Sequence, residues 1–94
     1  MYNIPTINMI KTGEKITELR KKSGLSVRQL QEIFGFATPQ AIYKWQQGVT
    51  LPAIDNLVVL ATLFNVKVED ILVTDETISM SESNIREEKN AGEQ

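Results

Sequence analysis

The 94-residue sequence predicts an all-α fold of five short helices, followed by an acidic C-terminal tail. Apolar residues recur at helical spacing between residues 12 and 73, and capping residues, prolines and glycines interrupt that stretch at short intervals. Beyond residue 73 the chain is polar, acidic and without a sustained period. We therefore divide it into an N-terminal arm (1–11), a helical domain (12–73) and a tail (74–94) that we expect to be disordered.

The first two helices are predicted from the residues at their ends. Thr12 is expected to cap the first helix, which continues to about Ser23 and is followed by Gly24. Ser26 is expected to begin the second helix through a capping box, and Gly35 to end it. The positions that we expect to face the core are Ile16 and Leu19 in the first helix, and Val27, Leu30, Ile33 and Phe34 in the second.

The third helix is predicted to have one apolar and one polar face. Thr38 is expected to be its cap, with Pro39 in the first turn, and Gly48 is expected to stop it. At about 100° per residue, Ile42 and Trp45 point towards the core. The opposite face has no carboxylate and carries Gln40, Tyr43, Lys44 and Gln47.

Two further helices complete the predicted domain. The fourth runs from about Ala53 to Phe64, and the fifth is a short turn from Val68 to Leu72. The apolar positions that we expect the fourth helix to bury are Ile54, Leu57, Val58, Ala61 and Phe64.

Composition excludes several function classes. The chain has no cysteine and no histidine, so disulfides, thiolate chemistry and imidazole catalysis are absent. We expect no enzyme activity, no metal and no cofactor. No apolar run is long enough to span a bilayer and no signal peptide begins the chain, so we expect no membrane partner and a cytoplasmic location.

The net charge of −2 is unevenly divided between the domain and the tail. Residues 1–73 carry eight basic and six acidic side chains, a net charge of +2, whereas residues 74–94 carry two and six, a net charge of −4. A mildly basic domain can bind phosphate where its cations share a face.

The second and third helices, joined by a short turn containing glycine, have the arrangement of a helix-turn-helix. In that motif the second helix enters the major groove of DNA, where glutamine pairs with adenine and lysine with guanine or phosphate. The acid-free face of the third helix therefore predicts binding to double-stranded DNA.

The residues also resemble a known family, the phage-repressor-like helix-turn-helix domains of bacterial and phage regulators, also called the xenobiotic-response-element family. The matching segments are LRKKSGLS at 19–26, LQEIFG at 30–35, AIYKWQQG at 41–48, Pro52, LVVLATLFNV at 57–66 and VEDIL at 68–72. The resemblance implies a five-helix, lambda-repressor-like domain that binds operator DNA, usually as a dimer. The function that we expect is transcriptional regulation, with repression by occupying a promoter.

The resemblance also implies which residues contact DNA. Bases or flanking phosphates are expected to be contacted by Thr38, Pro39, Gln40, Tyr43, Lys44 and Gln47, with Ser26, Arg28 and Arg20 as further candidates.

Three departures from the family pattern bear on these contacts. The turn before the third helix is one residue longer than usual, and Val27 replaces a phosphate-contacting glutamine. Gln46 replaces the glutamate that normally pairs with the arginine matching Arg20. The resemblance therefore implies a neutral-to-charged hydrogen bond between Arg20 and Gln46, which is expected to leave Arg20 more available to DNA.

Two alternatives stay open from the sequence. The chain could instead be a protein-interaction module, such as the antitoxin of a toxin–antitoxin pair, with Ile78, Met80 and Ile85 forming a partner-binding helix in the tail. A homodimer is expected through the C-terminal part of the domain, although the same residues could close the core of a monomer; they are Val66, Val68, Ile71, Leu72 and Val73.

Overall fold

The computed structural model describes residues 3–78, which form five helices and one antiparallel pair of strands. The elements in chain order are β1 (Asn3–Ile7), α1 (Met9–Lys22), α2 (Val27–Phe34), α3 (Gln40–Gln46), α4 (Ile54–Phe64), α5 (Val68–Ile71) and β2 (Thr74–Ile78). The expected five-helix fold is confirmed, and the strand pair is an addition that the sequence did not predict.

All five helices contribute to a single apolar core. α4 supplies the largest share and α5 closes one side with Ile71, which is fully buried. The core consists of Ile16, Leu19, Leu30, Ile42, Trp45, Leu57, Leu60, Ala61, Phe64 and Ile71.

Three apolar side chains that we expected to be buried are exposed instead. Ile33 is 48% exposed, Ile54 81% and Val58 51%, whereas Leu60 is fully buried although its position was not among those predicted. α4 is apolar almost all round, so helical spacing alone did not identify the side that packs on the core.

α1 begins at Met9, so the prediction that Thr12 caps this helix was wrong. Asn8 is the cap, and its side-chain oxygen accepts a hydrogen bond from the Lys11 amide at 2.9 Å. Thr12 is fully buried one turn further on. Its hydroxyl accepts a hydrogen bond from the Val73 amide at 3.0 Å and donates to the Val73 carbonyl at 3.4 Å.

The start of α2 is as predicted, and the start of α3 is not. The Gln29 amide donates to the Ser26 hydroxyl at 3.0 Å, and the Ser26 amide donates to the Gln29 side chain at 2.8 Å, so the capping box is present. In α3 the cap position is taken by Pro39, which provides no side-chain cap. Thr38 lies one residue earlier, where its hydroxyl accepts from the Gln40 amide at 3.4 Å.

The strand pair, which we call the ribbon, joins residues at opposite ends of the described chain. Asn3 pairs with Ile78 and Ile7 with Thr74. At its base the Asn8 amide donates to the Val73 carbonyl at 2.8 Å, and the Asn8 side-chain amide donates to the Asp75 carboxylate at 2.9 Å.

The ribbon corrects two boundaries drawn from the sequence. Residues 9–11, which were assigned to the N-terminal arm, are helical. Residues 74–78, which were assigned to a disordered tail, form β2, because strand pairing with a distant segment leaves no local signal. The remainder of the predicted tail, including Met80 and Ile85, lies outside the described residues.

The apolar residues around α5 pack inward. Val66, Val68 and Leu72 are partly buried against the core, and Val73 is half-buried next to Thr12. These contacts favour the alternative in which the segment closes the core of one chain. Within residues 3–78, no helix is both long and apolar enough to cross a lipid bilayer.

Candidate nucleic-acid interface

The polar face of α3 is exposed, as the helical period predicts. Gln40, Tyr43, Lys44 and Gln47 together line one shallow depression on the surface. Tyr43 is 46% exposed, and no acidic residue occurs in the helix. We refer to these four side chains as the α3 face. They present amides, a phenol and an ammonium group to the same solvent region, which is suitable chemistry for base edges and phosphates.

The opposite side of α3 is anchored in the core. Ile42 is fully buried and Trp45 is 4% exposed. The Trp45 ring meets Phe34 and Phe36 edge-on, with centroid distances of 5.5 Å and 5.9 Å, and the two phenylalanine rings stack at 5.2 Å. These aromatic contacts fix the rotation of α3 about its axis and so keep the α3 face turned outward.

The turn between α2 and α3 is held by a residue that the sequence did not single out. The side-chain amide of Gln31 donates to the Phe36 carbonyl at 3.3 Å and to the Ala37 carbonyl at 3.2 Å. Together with the stacking of Phe36, these bonds give the longer turn a defined path into α3. A glutamine on a helix surface carries no sequence signal for this role.

The end of α3 approaches α1 at two glycines. A Cβ atom on Gly13 would lie 2.5 Å from the Gln46 carbonyl oxygen and 2.6 Å from that of Trp45. A Cβ on Gly48, whose φ is +74°, would lie 2.8 Å from the Ile10 Cα. The main chains therefore meet at van der Waals distance only because both positions are glycine.

Arg20 connects α1 to α3 and to the turn that precedes α2. Its Nε donates to the Gln46 side-chain oxygen at 2.8 Å, and its Nη1 donates to the Leu25 carbonyl at 2.8 Å. The pairing with Gln46 that the family resemblance implied is therefore present. Two bonds within the protein hold this guanidinium in place, and both of its acceptors are neutral, so its availability to DNA stays a prediction.

The remaining candidates lie at the start of α2 and in the turn before α3. The Ser26 hydroxyl is engaged in the capping box. Arg28 is 86% exposed and lies 3.6 Å from Glu32, a surface ion pair that is easily exchanged for another partner. Thr38 is exposed and Pro39 half-buried beside Gln40. The structure thus brings the α3 residues together, and Arg28 is not among the side chains lining the depression.

Comparison with known proteins gives a family match and several similar chains. Residues 16–71 match the model of a helix-turn-helix family. The HTH-type transcriptional activator BcrR of Enterococcus faecalis is 30% identical over 74 residues, a stretch that covers 79% of this chain. The same stretch covers 36% of BcrR, so the chain spans about a third of that relative's length.

Two solved structures share the fold. The restriction-modification controller protein C.AhdI from Aeromonas hydrophila superposes with a TM-score of 0.59 at 23% identity, over 68% of this chain and 96% of that one. The DNA-binding domain of BldD superposes with a TM-score of 0.58 at 23% identity, over 69% and 93% respectively.

Proposed function

Since the chain belongs to the Cro/C1-type helix-turn-helix family, we propose that it is a sequence-specific transcriptional regulator that places α3 in the major groove of double-stranded DNA. The observation that carries the proposal is the α3 face, which is exposed, polar and free of carboxylates. A carboxylate there would face the phosphate backbone at close range and would be repelled.

Each side chain of the α3 face has a distinct proposed role. Gln40 lies in the first turn, where an amide can donate to and accept from adenine, and Lys44 one turn later reaches guanine or a phosphate. Tyr43 contacts a phosphate or a thymine methyl group, and Gln47 a phosphate. Thr38 and Pro39, at the entry of the helix, are proposed to contact the flanking backbone.

The residues before α3 are proposed to hold the backbone on the other side of the motif. Arg28 is long and exposed, so it can leave Glu32 for a phosphate without a large desolvation penalty. Ser26 presents the N-terminal end of α2. These contacts orient the domain and carry no base information.

Fluorescence anisotropy with the DNA upstream of the gene, at several salt concentrations, tests the proposal. We expect Gln40→Ala to reduce the preference for that DNA over random duplex, and Lys44→Ala to weaken binding by roughly tenfold. Lys67→Ala, at the start of α5, is the matched control for lost charge and is expected to bind as the parent does. If the parent binds no duplex at low salt, the proposed function is wrong.

The direction of regulation is a separate proposal. We propose repression by occupancy, because a domain seated on a promoter excludes polymerase without further contacts. BcrR is named as an activator, but the chain spans about a third of it, and the similarity does not transfer that activity. In vitro transcription should decrease as the protein is added to its own promoter. A rise in transcript would contradict repression while leaving DNA binding intact.

We also propose that the protein acts as a homodimer, through a surface different from the one expected from the sequence. The residues around Ile71 pack on the core, whereas Ile54 and Val58, one turn apart on α4, are exposed, as is Leu51 in the preceding loop. An apolar face of this kind is suited to a two-fold interface, which doubles the number of phosphate contacts.

Sedimentation velocity tests this surface. Ile54→Lys is expected to shift a dimer to monomer at micromolar concentration and to weaken binding to a two-fold DNA site. Ile33→Lys changes an exposed isoleucine on α2 and should leave the dimer unchanged. A dimer that persists in Ile54→Lys would rule out the α4 surface.

A further inference from the structure

Arg20 is a cation whose observed partners are all neutral. Its two hydrogen bonds end on the side-chain amide oxygen of Gln46 and on the Leu25 carbonyl. Among the side chains that the structure describes, the ion pair found is that between Arg28 and Glu32, and no carboxylate lies within 4.0 Å of the Arg20 guanidinium. The charge of Arg20 is therefore positioned by hydrogen bonds and not cancelled by them.

Both acceptors of Arg20 are adjacent in sequence to residues that we propose contact DNA. Leu25 directly precedes the Ser26 cap of α2, and Gln46 directly precedes Gln47 of the α3 face. Arg20 is partly buried between these two points, so bulk water screens its charge less than that of an extended surface arginine. It also lacks the freedom to turn away, because both of its bonds are short.

We propose that Gln46 sets the electrostatic strength of the DNA-binding surface by leaving the charge of Arg20 uncompensated, so that a backbone phosphate of the duplex becomes its counter-ion. The inference rests on the proposed function, since it concerns the same surface. It assigns Gln46 a positioning role: the residue holds Arg20 in place through an amide oxygen. A carboxylate there would hold it equally well but would neutralise it.

The substitution Gln46→Glu isolates this effect, because it keeps the acceptor oxygen and adds one negative charge. The number of phosphates neutralised is measured by the slope of log Kobs against log salt, at about 0.9 per phosphate. We expect the slope of Gln46→Glu to be smaller by about one, and its affinity at about 0.1 M salt to fall roughly threefold to tenfold. The affinities for specific and random duplex should fall by the same factor, because no base contact is changed.

Two further variants serve as controls. One removes the bond that positions Arg20 without adding a charge, and the other adds a negative charge far from Arg20. Gln46→Met removes the acceptor but leaves the charge of Arg20, so we expect a lower affinity than that of the parent with a smaller change in salt slope than Gln46→Glu causes. Asn3→Asp makes the same amide-to-acid change at the far end of the ribbon and should leave both slope and affinity unchanged. Thermal unfolding of each variant confirms that it is folded at the assay temperature.

The outcomes distinguish this inference from the proposed function. A parent that binds with a clear salt dependence, together with a Gln46→Glu slope equal to it, would overturn the inference alone. A loss confined to the specific duplex would also overturn it, since that result assigns Gln46 to base contact. If the parent binds no duplex, both proposals fail.

Discussion

Two neighbouring buried residues of α1, Thr12 and Gly13, show how much of this fold depends on single side chains. The sequence predicts Thr12 as a helix cap because threonine is a common capping residue and Glu14 would lie near the positive end of the helix dipole. In the structure the same hydroxyl instead satisfies the amide of Val73, 61 residues away. The capping prediction was wrong because the partner of this hydroxyl is set by tertiary packing and not by its neighbours in sequence.

Gly13→Ala is expected to destabilise the protein although alanine is the better helix former. The new Cβ would overlap the carbonyl oxygens of Trp45 and Gln46, which are main-chain atoms and cannot rotate away. We expect the free energy of unfolding to fall by about 1–3 kcal/mol, measured by urea denaturation. Gly24→Ala introduces no overlap, since no atom lies within 4 Å, but its φ of +74° adds a left-handed strain that Gly13→Ala does not have. An unchanged stability in Gly13→Ala would mean that α1 and α3 can move apart.

Thr12→Val tests the buried hydroxyl with little change in volume. The Val73 amide loses its acceptor in a site from which water is excluded, so we expect a loss of about 1–3 kcal/mol in unfolding free energy. Thr62→Val is the control, since that hydroxyl bonds the Val58 carbonyl on an exposed part of α4. Equal effects of the two substitutions would argue against a special role for burial.

At the scale of whole elements, prediction succeeded where the signal is local. The capping box of α2 involves residues three apart, and the outward face of α3 follows from a helical period over eight residues. The ribbon escaped prediction because β1 and β2 lie at opposite ends of the described chain and β2 is polar. The packing side of α4 escaped it because both sides are apolar.

Asn8 joins two elements, since it caps α1 and also closes the base of the ribbon. Asn8→Ala removes the acceptor for Lys11 and the donor to Asp75, and we expect it to lower the free energy of unfolding by about 1–2 kcal/mol. Asn8→Ser keeps a capping oxygen and loses the bond to Asp75, so most of the stability should return. Chemical denaturation of both variants gives the comparison; equal losses would place the effect in the ribbon and not in the cap.

On the scale of the whole molecule, the five helices contain the buried core and the ribbon contributes nothing to it. Every residue of the buried core lies in a helix, and all five side chains of β1 are exposed. A two-stranded ribbon by itself is marginally stable in water. The ribbon therefore depends on the five helices for its stability, and the helices do not depend on the ribbon.

Deletion of residues 1–7 should accordingly leave a folded, DNA-binding protein. Asn8 and its cap remain, so we expect the five helices to persist with a loss in unfolding free energy below about 2 kcal/mol. Circular dichroism and the anisotropy assay measure the two properties, and DNA affinity should stay within about threefold of the parent. Loss of helical signal would show that the ribbon nucleates the fold.

The ribbon also brings the two ends of the described chain next to each other. Asn3 and Ile78 face each other across two adjacent strands, so a two-residue hairpin turn is enough to join them. The exposed residues Ser23 and Gly24 between α1 and α2 offer a place to open the chain again. A circular permutant built in this way would keep the five helices and the α3 face while beginning at α2 and ending with α1.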